Sequence, residues 1–179
     1  PDAATRMLDR WLRATANPHT RLAQLQQSPA LARLLLTLLG ASRQLADSLV
    51  QNPEFADLIL DPATFERPIR SQDILAEASR LVAGSSSYSR SLDLLRFVRQ
   101  KWILVIALAD LASVWPPEAI WEALSELALG LVSATRDAAW SEFASSRLGD
   151  AKLPCPVSIL AMGKLGGLEL NYSSDVDLV

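Results

Sequence analysis

The chain has 179 residues, half of them hydrophobic and 21% charged, with a formal net charge of -3. That length can bury a substantial core, and the apolar content excludes an intrinsically disordered polymer. The slight acidic excess offers no broad cationic surface, so neither nucleic acid nor an anionic membrane is an expected partner. A single cysteine, Cys155, excludes an intramolecular disulfide and a thiolate metal cluster. The amino terminus, with Asp2, Arg6, Asp9 and Arg10, has no signal-peptide pattern, and apolar runs such as 102–109 fall far short of the ~18 residues a span requires. A cytoplasmic protein is the expectation.

Residues 3–16 are predicted as a first helix, with Met7, Leu8, Trp11 and Leu12 on neighbouring turns and Pro18 as its stop. The one histidine, His19, falls in the predicted turn Asn17-Pro18-His19-Thr20 and reads as a surface side chain. A second element follows from about Arg21, and Pro29 sits at a first-turn position behind Ser28, a candidate cap. Residues 30–50 read as one long helix with Gly40 as a candidate break, packing through Leu31, Leu34, Leu35, Leu38, Leu45 and Leu49. Asn52-Pro53-Glu54 opens a short helix carrying Phe55, Leu58 and Ile59, and Asp61-Pro62 closes it. The prolines at 62 and 68 favour a loop with at most one short turn.

Helices are predicted over 72–83, 90–113 and 118–147, separated by Gly84-Ser85-Ser86-Ser87 and by Trp115-Pro116-Pro117-Glu118. The second of these carries Leu92, Leu95, Trp102, Val105, Ile106 and Ala109 at threes and fours, with Arg96, Arg99 and Lys101 forming a positive rim. The third has a stripe of Ile120, Leu124, Leu127, Leu131, Ala134 and Ala138, widened by Trp121, Ala128, Val132, Trp140 and Phe143. Glu122, Glu126, Arg136 and Asp137 are expected to face outward. So broad a stripe packs against two neighbours, as in a helical bundle. Gly130 either bends this helix or admits a close neighbour. Residues 149–156, with Pro154 and Pro156 around Cys155, read as a stiff linker in which the cysteine is structural or incidental.

The pattern changes over 157–179. Residues 157–162 form a short apolar run suited to a buried strand, and Gly163, Gly166 and Gly167 then break regular structure around Lys164. After Asn171, Ser173 and Ser174, the alternation Asp175, Val176, Asp177, Leu178 has the period of a strand, which directs both carboxylates to one face. Two adjacent carboxylates repel unless a cation lies between them. Hard oxygen donors of this kind suit magnesium or manganese carrying phosphate groups, so the residues point to metal-dependent nucleotidyl or phosphoryl transfer. The lysine precedes the paired glycines and no Ser or Thr follows it, so this is not a P-loop. By itself an Asp-x-Asp is more commonly a solvated strand end or turn than a metal site.

The run Met162-Gly163-Lys164-Leu165-Gly166-Gly167, followed by Glu169-Leu170-Asn171 and Ser173-Ser174-Asp175-Val176-Asp177-Leu178, resembles the signature of the glutamine synthetase adenylyltransferase/adenylyl-removing family. A weaker likeness extends upstream through Leu94-Leu95-Arg96-Phe97 to Trp140, and the whole resembles the amino-terminal, adenylyl-removing half. The resemblance implies a mainly α chain: a helical bundle-like body over 1–148, then the first strands of an α/β nucleotidyltransferase core over 149–179, incomplete and so inactive by itself. It further implies that Asp175 and Asp177 bind Mg2+ or Mn2+ and carry catalysis, a third carboxylate coming from a later strand. Gly166, Gly167, Ser174 and Lys164 are then the nucleotide- or phosphate-binding residues.

The implied reaction removes AMP from a glutamine synthetase tyrosine by attack of inorganic phosphate, releasing ADP. A linked second core adds AMP from ATP, and a PII-type regulatory protein and glutamine set the balance. Two departures from the family pattern stand out: Leu168, where arginine or a small residue is usual, and Val98, Gln100 and Trp102 on a helix that is usually richer in arginine. Two other classes fit the residues: a nucleotidyltransferase with a different substrate, and a noncatalytic helical interaction module.

Overall fold

The computed structural model describes residues 2–148 and 157–179. The predicted linker at 149–156, with Cys155 and its flanking prolines, lies outside the described residues, as does the start of the predicted core at 149. The described residues form nine α-helices: α1 (Asp2–Ala14), α2 (Pro18–Gln27), α3 (Pro29–Ala41), α4 (Arg43–Gln51), α5 (Ala56–Leu60), α6 (Ser71–Ala83), α7 (Tyr88–Leu111), α8 (Pro117–Phe143) and the single turn α9 (Gly163–Gly166). The chain divides into two compact units, Pro1–Arg67 with Leu104–Pro116, and Pro68–Ile103 with Pro117–Val179.

In the first unit, α1 to α5 close over Trp11, Leu35, Leu38, Leu39, Leu49, Phe55 and Ile59, all buried. Residues 104–109 of α7 are buried on every side, which explains why that stretch is apolar all round instead of striped. Pro18 is not a stop but the first residue of α2, where its missing N–H costs nothing and its fixed φ suits the helix. His19 therefore lies in a helical turn, not a loop, and is exposed as expected. Ser28 caps α3 by accepting from Leu31 N at 3.4 Å. The long helix predicted over 30–50 is divided at Ser42 and not at Gly40, which stays inside α3. Ser42 adopts φ -145°, ψ 121°, and its hydroxyl accepts from Leu45 N to start α4. A capping hydroxyl satisfies an amide that a glycine leaves bare, so the serine makes the better break.

In the second unit, α6 packs on α8. Its first turn settles onto Gly130, where an added Cβ would stand 2.6 Å from Ile74 Cβ and 2.7 Å from the Ser71 carbonyl oxygen. Of the two roles open to Gly130, close approach is the one the structure takes. One turn earlier, Glu126 accepts a hydrogen bond from the Ser71 backbone N–H and places negative charge at the amino end of α6, which the helix dipole favours. Glu126 is thus turned inward, contrary to its predicted outward position, because an unpaired helix N-terminus needs an acceptor. Beside it Glu122 pairs with Arg70 at 2.7 Å. The expected stripe on α8 is buried at Ile120, Leu124, Leu127, Ala134 and Ala138, whereas Trp121 and Phe143 are exposed and do not widen the core. A π-helical turn, Ala144–Leu148, follows α8.

The predicted positive rim of α7 is partly consumed within this unit. Lys101 Nζ lies 2.7 Å from Glu77 Oε1 on α6 and 4.7 Å from the Trp102 ring centroid, while Trp102 Nε1 donates to Glu77 Oε2 at 2.8 Å. Val98 is fully buried. Two of the positions that depart from the arginine-rich pattern are accordingly spent on packing and on holding one half-buried carboxylate. Substituting Glu77→Ala leaves an ammonium and an indole N–H without their acceptor, and is expected to lower stability by about 1–3 kcal/mol, read as a fall in urea midpoint at constant slope.

Candidate functional site

The glycine loop and the acidic segment both belong to the second unit. The predicted strands are not formed among the described residues: the two segments meet at one isolated antiparallel bridge, Ala161 with Leu178, and not as a ladder. Leu160 N donates to Val179 O at 2.7 Å, Val179 N returns to Leu160 O at 3.0 Å, and Met162 N donates to Asp177 O at 2.9 Å. Two short segments without further neighbours have too few bonds to extend regular pairing.

The bridge fixes which side each residue takes. Ile159, Ala161 and Leu178 line a cavity of about 60 Å3 together with Leu129, Val132, Ser133 and Arg136 of α8. By alternation Leu160, Met162, Asp177 and Val179 lie on the other side; all four are exposed, as are Ile159 and Leu178. Asp175 is exposed as well and shares the register of Asp177.

The loop between the segments winds into α9. Gly163 opens it at φ +54°, a left-handed conformation that L side chains rarely adopt, and a Cβ there would stand 3.1 Å from Asp177 Oδ2. The loop thus begins against one of the two carboxylates. At Gly166 the close approach is to the Ala161 carbonyl oxygen, 2.6 Å from an added Cβ, so this glycine lets the turn fold back on the first extended segment. Gly167 meets nothing closer than 3.7 Å and leaves its surface open. Lys164 is exposed. Leu168, one of the departures, has φ +58°, where glycine is the usual occupant.

Beyond the loop, Glu169 N donates to Lys164 O at 2.8 Å. Asn171 then organises a turn: its N–H donates to Ser174 Oγ at 3.1 Å, its Oδ1 accepts from Ser173 N at 3.0 Å, and its carbonyl accepts from Ser174 N at 3.1 Å. Ser174 therefore has a structural task as an acceptor, and its hydroxyl proton is left to donate elsewhere.

Among the described residues no three or more His, Cys, Asp or Glu side chains are grouped to hold a metal ion. Two exposed carboxylates do not make a closed protein cage of the zinc or calcium type. They do fit magnesium, which keeps several waters and is commonly held by one or two carboxylates plus the phosphates of a substrate. Sequence reasoning missed Ser125 and Glu77. Neither had a local signal: Ser125 meets Leu170 across 45 residues, and Glu77 on α6 meets Lys101 and Trp102 on α7 across 24 and 25.

The family described as glutamate-ammonia ligase adenylyltransferase matches residues 32–179. The chain is 35% identical over 158 residues to a bifunctional glutamine synthetase adenylyltransferase/adenylyl-removing enzyme of Burkholderia mallei, covering 88% of this chain and 17% of that protein. It is 32% identical over 179 residues to the enzyme of the same name from Rhodopseudomonas palustris, covering all of this chain and 18% of that one. A Bradyrhizobium relative is 31% identical over 193 aligned residues, with 19% of its length covered. The chain thus spans less than a fifth of these curated relatives.

Proposed function

The chain belongs to the glutamate-ammonia ligase adenylyltransferase family, and from that premise we propose that it carries the opening of a nucleotidyltransferase core which removes AMP from a tyrosine of glutamine synthetase. Residues 1–148 are the helical body that supports it, and 149–179 supply the first two strands, whose ladder is completed by later segments of the longer protein. The observation that supports this most is the meeting of Asp177 with the start of the glycine loop at Gly163.

In the proposed reaction an oxygen of inorganic phosphate forms a bond to the phosphorus of the tyrosine-bound AMP. The bond from that phosphorus to the tyrosine oxygen breaks, the phenolate leaves and takes up a proton, and ADP is released. Asp175 and Asp177 would hold the divalent ion, magnesium or manganese, which when bound supplies positive charge to the phosphate oxygens. Gly163 and Gly166 let the loop fold against Asp177 and the Ala161 carbonyl, and the open backbone at Gly167 leaves room for a phosphate to approach the main chain. Ser174 offers a hydroxyl donor next to the first carboxylate, and Lys164 offers a mobile cation at the rim of the turn. The turn at Asn171 and the Ala161–Leu178 bridge hold the two carboxylates in register from either end. A cytoplasmic enzyme with glutamine synthetase and a PII-type regulator as partners follows from the same reading. No helix among the described residues is long and apolar enough to cross a membrane.

The test is made on the full-length parent. Incubated with adenylylated glutamine synthetase, phosphate and Mg2+, it is expected to release ADP in amounts equal to the tyrosines unmasked, and to release none without phosphate. Transfer of AMP to or from another acceptor, with glutamine synthetase left unchanged, would replace this reading with that of a nucleotidyltransferase of different substrate.

A further inference from the structure

The geometry points to Ser125 as a positioning residue for the acidic pair, acting from inside α8 through the backbone of Leu170. The inference rests on the reading of Asp175 and Asp177 given above. Ser125 is 0% exposed, on a helix face otherwise lined with leucine and alanine. A buried hydroxyl is unfavourable there unless both its donor and its acceptor functions are met. Both are: Oγ donates to Trp121 O at 2.8 Å and accepts from Leu170 N at 3.1 Å. The first bond is local to the helix. The second joins residues 45 apart in sequence and is buried.

Its position along the chain makes it a tether. Leu170 follows Leu168, the left-handed residue, by two positions and precedes the Asn171 turn directly. From Leu170 to Asp175 the backbone has little freedom, because the three hydrogen bonds of the Asn171 turn close residues 171–174. Where Leu170 N is held, Asp175 is therefore placed. Downstream, the Ala161–Leu178 bridge holds the other end of the pair. Leu165, 1% exposed, and Leu170, 7% exposed, also anchor this stretch, but apolar contacts tolerate sliding whereas a hydrogen bond to a backbone amide fixes register. Ser125 reaches no solvent, so it acts on the reaction only by placing the carboxylates.

In the full-length parent, Ser125→Ala is expected to lower kcat for phosphate-dependent AMP removal about tenfold and to raise the Mg2+ concentration for half-maximal rate several-fold, because small displacements of a reacting constellation are heavily penalised. KM for adenylylated glutamine synthetase is expected to stay within twofold. Ser125→Thr, which keeps the Oγ, is expected to recover most of the rate. Leu131→Ala on the same helix serves as a comparison for general loosening of α8; an equal change in Mg2+ dependence from that variant overturns the proposal. A wild-type kcat and Mg2+ dependence for Ser125→Ala, while Asp175→Asn and Asp177→Asn are inactive, overturns it and leaves the reaction reading standing. Activity retained by both aspartate variants removes that reading and the positioning role with it. Independently of any substitution, the Leu170 amide of the unmodified 179-residue chain is expected to exchange with solvent at least about a hundredfold more slowly than an open chain. Exchange at the open-chain rate overturns the proposal even if Ser125→Ala fails to accumulate.

Discussion

Asp175→Asn and Asp177→Asn, made separately in the full-length parent, are each expected to reduce phosphate-dependent release of ADP from adenylylated glutamine synthetase by roughly a hundredfold or more, about 2.7 kcal/mol of transition-state stabilisation. The amide keeps the size of the carboxylate and one of its oxygens, so the local fold is retained while a negative donor is lost. Both side chains are exposed, and neither is held by an ion pair with another residue of the described chain. Neither substitution should therefore shift the unfolding midpoint. Loss of activity with an unchanged midpoint identifies a chemical role, and a loss below about tenfold for both variants would contradict it. Of the two, Asp177→Asn carries a further consequence, since Asp177 Oδ2 is the atom closest to the Cβ position of Gly163. Gly163→Ala is disfavoured twice, by its left-handed φ and by crowding of that carboxylate.

The second large effect is on stability. Gly130→Ala is expected to destabilise the second unit by about 2 kcal/mol, seen as a lower urea midpoint. Alanine is a better helix former than glycine by about 1 kcal/mol, so propensity alone predicts the opposite sign. The methyl group, however, would overlap Ile74 Cβ at 2.6 Å and the Ser71 carbonyl oxygen at 2.7 Å. The second of these is backbone and cannot rotate away, so α6 must move off α8, and overpacking of this kind costs about 1–3 kcal/mol or more. The shift also pulls Ser71 N from Glu126, which adds the loss of its cap. Gly84→Ala provides the contrast: an added Cβ there meets only Leu81 O, at 3.8 Å, and the substitution is expected to be neutral or slightly stabilising. Equal midpoints for Gly130→Ala and the unmodified chain would mean that the two helices do not approach as closely as described.

The helical body was largely legible because its signals are local. Leucine and alanine at threes and fours marked the buried faces of α3, α7 and α8, and Ser28 announced the start of α3 through an ordinary cap. The errors came where a residue has two meanings that only a neighbour decides. Pro18 was read as a stop although proline opens a helix as readily as it ends one. Glu126 was read as a solvent-facing acid because nothing in its own helix reveals that the first amides of α6 lie above it. Trp121 and Phe143 have the spacing of core residues, but no other described residue of their unit covers them fully. Strands were read at 157–162 and in the acidic segment, yet only one bridge forms between them, because a sheet depends on partners far along the chain.

The candidate site was legible as a set of residues and not as a structure. Glycines, a lysine and an Asp-x-Asp in one short stretch pointed to metal-dependent phosphoryl chemistry as an expectation. The division of labour among them came only from coordinates: Gly163 serves Asp177, Gly166 serves the Ala161 carbonyl, and Ser174 closes the turn at Asn171. Ser125 escaped notice because a hydrogen bond across 45 residues leaves no periodic trace.

The central claim is that Asp175 and Asp177 share one divalent cation with a phosphate-bearing ligand. It is tested most directly by anomalous scattering from crystals of a polypeptide long enough to complete the core, grown with ADP and millimolar Mn2+. The account predicts a manganese peak bridging the two carboxylates and a phosphate oxygen, lost in both asparagine variants. Carboxylates turned away from each other, with nucleotide bound and no metal between them, would contradict it.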